Sequence, residues 1–469
     1  MGKFFENAIV WSLLSSPRMR GSSAFALCTS PRHWIPAFAG MTRKWAPRRK
    51  EFILASAIAL LALNTTATEF PAFDALPVQT ALPDAFTMMD GTKITTAQEW
   101  TEKRRPELIA LFKHYVYGFA PDAPEIEVSE TVPPQPVLEW KGLLKQLTIR
   151  FKNLPGDNAP RIRLALFLPA ATTGPVPVFL APNKCGNYEV LRDPAIQYDP
   201  AAWCADNCPD PETEGRGANE DYWCVASILE RGYAFATYHD SDIDPDKHDF
   251  TDGIHAAYGA EHPAAGDSWG TIAAWSWGLS RCIDYLVTDP AINPTQVAVL
   301  GHSRRGKTAL LTAALDERVA LVVPHQSGTG GMALSRDNDQ ETTERINRVF
   351  PHWFCDNFVQ FDLKEDKLPI DQHLLVALVA PRPLLDTEGL QDTWANGKSA
   401  LKGIMAANRV YKLLGAQGIK GGGMIQGPAK ITKENTGDLL QYRLNTEHVL
   451  TQEYWNAILD FADIQFGRS

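Results

Sequence analysis

Val297-Ala298-Val299-Leu300-Gly301-His302-Ser303-Arg304-Arg305-Gly306-Lys307 is the stretch that decides the fold. Its apolar start reads as a buried strand, the glycine-flanked serine as a sharp turn, and the following Thr308-Ala309-Leu310-Leu311 as the opening of a helix. A serine hydroxyl becomes a useful nucleophile when such a unit lifts it above a sheet, a base takes its proton, and N–H groups at the helix start receive the oxyanion. The spacing Gly-x-Ser-x-x-Gly is one residue longer than the common elbow, and alone it is frequent. Its place directly after an apolar strand gives it weight.

Arg304, Arg305 and Lys307 crowd the first helical turn. Cations there cost about 0.3–1 kcal/mol each against the helix dipole. An oxyanion or an acidic substrate would offset that cost, so Arg304 and Lys307 are expected in the site. Arg305 is read as a solvated side chain.

Working outward, residues 147–151 alternate strictly and 162–168 at their start, like half-exposed strands, whereas 176–180 are continuously apolar like a buried one. Strands and helices then alternate: a strand at 233–238, a helix at 271–287, a strand at 319–324, another within 374–385, one at 440–444, and a final amphipathic helix at 451–466. Antiparallel strands followed by alternating units describe an open, mostly parallel sheet covered on both faces. That is the α/β-hydrolase arrangement, a three-layer αβα sandwich. Residues 100–119 read as a helix ended by Gly118, and the Gly-rich stretch 415–437 as a surface excursion beside the site.

The 469 residues carry a formal charge of −10, with 45% hydrophobic and 21% charged residues, which is ordinary for a soluble globular protein and argues against general nucleic-acid binding. Arg43, Lys44, Arg48, Arg49 and Lys50 precede an apolar run at 52–63 and the small residues Thr65-Thr66-Ala67. This reads as a secretory signal, too short for a permanent membrane anchor, with Arg48-Arg49 a loose twin-arginine match. Met41 stands where such a signal would begin, so 1–67 are read as an extension plus signal and 68–469 as a single catalytic domain. The expectation is a secreted or periplasmic monomer without metal or cofactor. Beyond the signal remain Cys185, Cys204, Cys208, Cys224, Cys282 and Cys355, an even count that permits disulfides without choosing among them. Cys204-x-x-x-Cys208 lacks the second pair of ligands a zinc site needs.

In this fold the triad order is serine, acid, histidine. His448, in the loop between the strand at 440–444 and the last helix, fits the base; His302, His325 and His352 are alternatives placed before or beside other elements. For the acid, Gln326 occupies one eligible strand end, but an amide cannot balance an imidazolium as a carboxylate does. The other strand end offers Asp386, Glu388 and Asp392, and Asp392 at the loop tip is preferred, with helix capping its competing role. Asp240, Asp242, Asp244 and Asp246 alternate like a calcium loop. Counted from Asp242, however, Lys247 stands where glycine is needed and Gly253 where a bidentate glutamate is needed, so the calcium reading is set aside.

Together with Ile243-Asp244-Pro245-Asp246, Trp275-Ser276-Trp277-Gly278, Gln340-Glu341-Thr342, Pro351-His352-Trp353-Phe354 and Asp392-Thr393-Trp394-Ala395-Asn396, the segment Gly301 to Lys307 resembles the glucuronoyl esterases of the bacterial type, including 4-O-methyl-glucuronoyl methylesterases. The resemblance implies a serine esterase that cleaves esters between glucuronic acid on xylan and lignin alcohols. It implies Ser303 as nucleophile, His448 as base, Arg304 as oxyanion-stabilising arginine, and Lys307, Glu341, Trp394 and the Gln326 position around the sugar. Many relatives carry the catalytic glutamate where this chain has Gln326, and a subset supplies the acid from the loop of Asp392. In fungal relatives a cysteine before the serine pairs with one after the histidine; His302 and Val449 stand there instead. An acetyl or feruloyl xylan esterase, and a carbohydrate-binding relative with a decayed triad, remain the competing readings.

Overall fold

The computed structural model describes residues 70–154, 159–205, 207–259 and 266–468. The signal segment and the start at Met41 lie outside the described residues. Ten strands form one sheet: β1 (Ile126–Val137), β2 (Gly142–Phe151), β3 (Arg161–Pro169), β4 (Val176–Asn183), β5 (Ala234–His239), β6 (Ile292–His302), β7 (Val319–His325), β8 (Leu384–Gly389), β9 (Ile419–Gln426) and β10 (Leu439–Leu444). Their order is β1-β2-β3-β5-β4-β6-β7-β8-β10-β9. The first three run antiparallel, and from β5 onward neighbouring strands are parallel.

Helices α1 (Thr271–Leu286), α2 (Arg304–Leu315), α3 (Gln372–Val379) and α4 (Gly397–Leu413) contribute to one buried cluster, while α5 (Gln452–Gln465) contributes to a second with Phe179, Phe235 and Leu300. This is the expected α/β-hydrolase sandwich. Central strands are covered on both faces: every residue of β4, β5 and β8 is buried, the polar Asp386, Thr387 and Glu388 of β8 included.

Three elements differ from expectation. The strand expected within 374–385 is present but lies later: residues up to Val379 belong to α3, and β8 starts at Leu384 and runs to Gly389, so Asp386 and Glu388 lie inside the strand rather than after it, because a continuous apolar run reads alike as buried helix or buried strand. Strand β1 was unread, since Pro133, Pro134 and Pro136 interrupt it; an edge strand tolerates them. The excursion at 415–437 contains β9, an edge strand parallel to β10, whose Gly421, Gly422 and Gly423 take φ of +59°, +88° and +77° and carry no side-chain alternation to read. Helical backbone runs from Ala97 to Tyr117 and ends at Gly118 (φ +84°), where an added Cβ would lie 2.3 Å from the Ser268 carbonyl oxygen.

Candidate active site

Ser303 sits between β6 and α2 at φ 59° and ψ −126°, a conformation that costs an ordinary residue about 1–3 kcal/mol. The two glycines make the turn possible. An added Cβ at Gly301 would lie 2.0 Å from the Arg305 carbonyl oxygen, and one at Gly306 would lie 2.9 Å from the carbonyl oxygens of Gly301 and His325. The extra residue in the motif therefore leaves both glycines at the crossing of strand and helix. The Ser303 N–H donates to the His325 carbonyl at 2.9 Å, and the N–H groups of Gly306 and Lys307 return to the Ser303 carbonyl.

Two loops meet beside this elbow because β8 and β10 are parallel neighbours whose ends, Gly389 and Leu444, are in register. Beyond them, Leu390 N–H donates to the Leu444 carbonyl and Gln391 N–H to that of Thr446. An added Cβ at Gly389 would lie 2.5 Å from the Thr446 carbonyl oxygen and 2.6 Å from Gln326 Nε2. This zipper brings Asp392 Oδ2 to 2.6 Å from His448 Nδ1. Asp392 Oδ1 accepts from the N–H groups of Trp394 at 2.7 Å and Ala395 at 3.1 Å. The carboxylate thus serves a turn and the imidazole at once. Burial pushes its pKa up, but the hydrogen bond and charge of His448 with the two N–H groups outweigh it, leaving the carboxyl below its usual range. The His448 ring lies 4.4 Å from that of His302, the residue before Ser303.

The alternative residues are engaged elsewhere. His325 lies against Thr387 and the Val449 carbonyl, His352 against Asp246, and His302 between Tyr222 and Gln326. Asp386 accepts from Gln441 Nε2 at 2.6 Å. Glu388 is buried against Asp386, and neither of its carboxylate oxygens accepts from any other donor among the described residues. Burial pushes Asp386 up to about 7 and raises Glu388 well above its ordinary range, with the charges of Asp386 and Asp392 adding to the Glu388 shift.

The cationic turn is anchored by the aspartate run. Arg304 bonds Asp246 at 2.5 Å and stacks over Trp353 and Phe350, at 4.3 and 4.6 Å from the ring centroids. Asp246 also accepts from His352 and from the Trp353 indole, which together with Arg304 hold its carboxyl below the usual range despite burial. Arg305 corrects the sequence reading: it is not solvated but largely buried in an ion pair with Asp240, 5.8 Å from the Trp275 ring centroid. Asp242 pairs with Arg163, and Asp244 accepts from Thr271 and faces His255. Each aspartate of the calcium-like run thus meets a different partner.

Lys307 and Gln326 also differ from expectation. The Lys307 ammonium is buried and donates to Ser327 O, Thr329 O and Glu341 Oε2 at 2.7, 2.7 and 2.8 Å, so none of its three protons is left for a sugar. Burial lowers its pKa against the pull of Glu341. Glu341 is buried too, with Oε1 unpartnered. Gln326 is buried with both ends of its amide used, accepting from His302 at 3.1 Å and donating to the Glu447 carbonyl at 2.8 Å. Trp394 is half-buried, with the Arg345 guanidinium 3.9 Å from its ring centroid. A cavity of about 460 Å³ opens beside Ser303 and His302, lined by Lys184, Glu189, Asn207, Tyr222 and Trp223 among others. Its wall is tied by the disulfide Cys185–Cys208; Cys204, Cys224, Cys282 and Cys355 are thiols. Sequence reasoning missed Tyr222, Arg345 and the anchoring role of Asp246, whose partners are remote in the chain.

A family model described as fungal glucuronyl esterase matches residues 221–415. The chain is 40% identical over 392 residues to carbohydrate esterase MZ0003 from an unknown prokaryotic organism, covering 81% of this chain and 89% of that protein. It is 33% identical over 346 residues to a 4-O-methyl-glucuronoyl methylesterase of Schizophyllum commune, covering 71% and 74%. The chain belongs to the glucuronoyl esterase family, carbohydrate esterase family 15. Among solved structures, a promiscuous family-15 esterase from a marine bacterial metagenome is 38% identical with a TM-score of 0.74, covering 84% of this chain and 98% of that one. A glucuronoyl esterase from Solibacter usitatus is 32% identical with a TM-score of 0.76, covering 84% and 100%. Family membership makes the chain a carboxylic ester hydrolase on the α/β-hydrolase fold. Among the described residues no helix is long and apolar enough to cross a membrane.

Proposed function

We propose that the chain is an exported serine esterase that hydrolyses esters of glucuronic acid or its 4-O-methyl ether, as in lignin–glucuronoxylan cross-links, through an acyl-enzyme on Ser303. The observation that carries this reading is the 2.6 Å Asp392–His448 contact, with the His448 ring 4.4 Å from that of His302, the residue before the strained serine. A carboxylate can only accept, so Nδ1 of His448 holds the proton and Nε2 is the free base. Ser303 Oγ attacks the ester carbonyl as His448 takes its proton. The oxyanion is met by Arg304 and by the first N–H groups of α2, those of Arg304 and Arg305, since the N–H groups of Gly306 and Lys307 already donate to the Ser303 carbonyl. His448 returns the proton to the departing alcohol, and water attacking by the same route releases the uronate and Ser303.

The half-buried Trp394 supports packing against the sugar ring, and the unpartnered Oε1 of Glu341 supports accepting a sugar hydroxyl. Lys307 then acts through Glu341 rather than on the sugar. The cavity lined by Lys184, Tyr222 and Trp223 is left for the alcohol. Export is supported by the basic and apolar segment at 43–67 and by the Cys185–Cys208 disulfide. The test is hydrolysis of methyl and benzyl glucuronate by the purified chain beside an acetate ester, with Ser303→Ala as control. Uronate-ester turnover lost in the variant is expected. Turnover of acetate alone would replace this reading with a deacetylase, and turnover of neither would overturn the intact triad.

A further inference from the structure

The loop bearing His448 is gripped from below on both sides. The carbonyl before it, Glu447 O, accepts from Gln326 Nε2 at 2.8 Å, and the carbonyl after it, Val449 O, faces His325 Nε2 at 3.1 Å. Both side chains come from the end of β7, the strand next to the nucleophile strand β6. Carbonyls only accept, so each partner must donate, and this fixes the remaining atoms. His325 carries its proton on Nε2, leaving Nδ1 bare to accept from Thr387 Oγ1 at 2.7 Å. Gln326 presents Oε1 to His302, so His302 donates from Nε2 at 3.1 Å and its bare Nδ1 accepts from the Tyr222 hydroxyl at 2.9 Å. Each hydrogen bond in the chain Tyr222–His302–Gln326–Glu447 O thus has one donor and one acceptor. His325 is buried and His302 keeps an edge on the cavity, and desolvation holds both neutral: His325 is pulled down to about 3 and His302 falls well below the usual histidine range.

We propose that Gln326 and His325, with His302 and Tyr222 behind Gln326, are positioning residues that hold the base His448 at the nucleophile by fixing the two peptide groups that flank it. Gln326 thereby aligns the base from the β7 end while Asp392 orients its ring from the β8 end. The inference rests on the reading of His448 as base.

The test is a mutant cycle on an activated aryl ester whose residual hydrolysis remains measurable. Gln326→Leu is expected to lower kcat by roughly 10- to 100-fold at nearly unchanged KM, as misplacing a catalytic group by about 1 Å does. Tyr222→Phe, which removes one hydroxyl and little volume, is expected to lower kcat by a smaller factor. In a His448→Ala background both substitutions are expected to have no further effect, because a positioning residue acts only through the group it positions. The same fold-loss with and without His448 would overturn the proposal. Loss confined to KM, or Tyr222→Phe and Gln326→Leu both at wild-type kcat, would also overturn it. A His448→Ala single variant with wild-type activity would refute the base itself, so the two failures are distinguishable.

Discussion

Replacing Asp392 by asparagine removes one charge and almost no volume. The contact it changes is the 2.6 Å hydrogen bond to His448 Nδ1, between side chains 2% and 31% exposed. A charge-assisted hydrogen bond is worth about 1.5–3 kcal/mol, and its loss from a transition state that carries an imidazolium corresponds to roughly 10- to 150-fold in rate. The turn adds a second effect. Oδ1 accepts from Trp394 and Ala395 N–H, so the asparagine must keep its carbonyl there and point its NH₂ at His448. Nδ1 must then accept, the ring proton moves to Nε2, and the imidazole faces the serine in the wrong tautomer. Both effects together predict a fall in kcat on the order of 10⁴-fold with KM nearly unchanged, as such a change produces in a serine triad. The assay is steady-state hydrolysis of benzyl glucuronate at neutral pH, with the thermal transition recorded to establish folding. A loss smaller than tenfold in a folded variant would refute the reasoning and turn attention to the buried Glu388.

Lys307→Met is expected to destabilise the protein by about 3–5 kcal/mol by leaving the Glu341 carboxylate buried without its cation, and Glu341→Gln added to it to restore part of the loss; equilibrium urea unfolding checks both. Burial raises the Asp386 pKa to about 7, so between pH 4 and that value the native state holds a proton the unfolded chain releases. Each such proton makes stability fall by about 1.4 kcal/mol per pH unit as pH rises. Asp386→Asn should flatten that slope, and parallel curves for variant and wild type would contradict it. Ala218, exposed on the rim of the cavity beside Ser303, is a site for filling: Ala218→Trp is expected to weaken turnover of benzyl glucuronate several-fold and spare the methyl ester, and equal effects on both would place the alcohol elsewhere.

Much of the fold was legible because buried parallel strands leave an unmistakable mark: 176–180 and 297–300 are apolar without alternation, and each is followed by turn residues. Strands β1 and β9 were not legible for the opposite reason. At a sheet edge one side of the backbone is unpaired, so prolines and glycines that would disqualify an inner strand are tolerated. That Asp392 meets His448 was reachable from chain order and strand ends, whereas the burial of Arg305 was not. The turn says only that cations are unfavourable there; Asp240, more than sixty residues earlier, supplies the charge that lets one be buried.

The sequence by itself determined the layered sheet, the serine turn and the order in which serine, carboxylate and histidine arrive, because hydrophobic period and glycine placement are local properties of the chain. Only the tertiary structure decided what Lys307 and Gln326 do. Their chemistry depends on how many partners surround each polar atom, and those partners, Ser327, Thr329 and Glu341 for the one and His302 and the Glu447 carbonyl for the other, come together only when β6, β7 and β10 lie in one sheet.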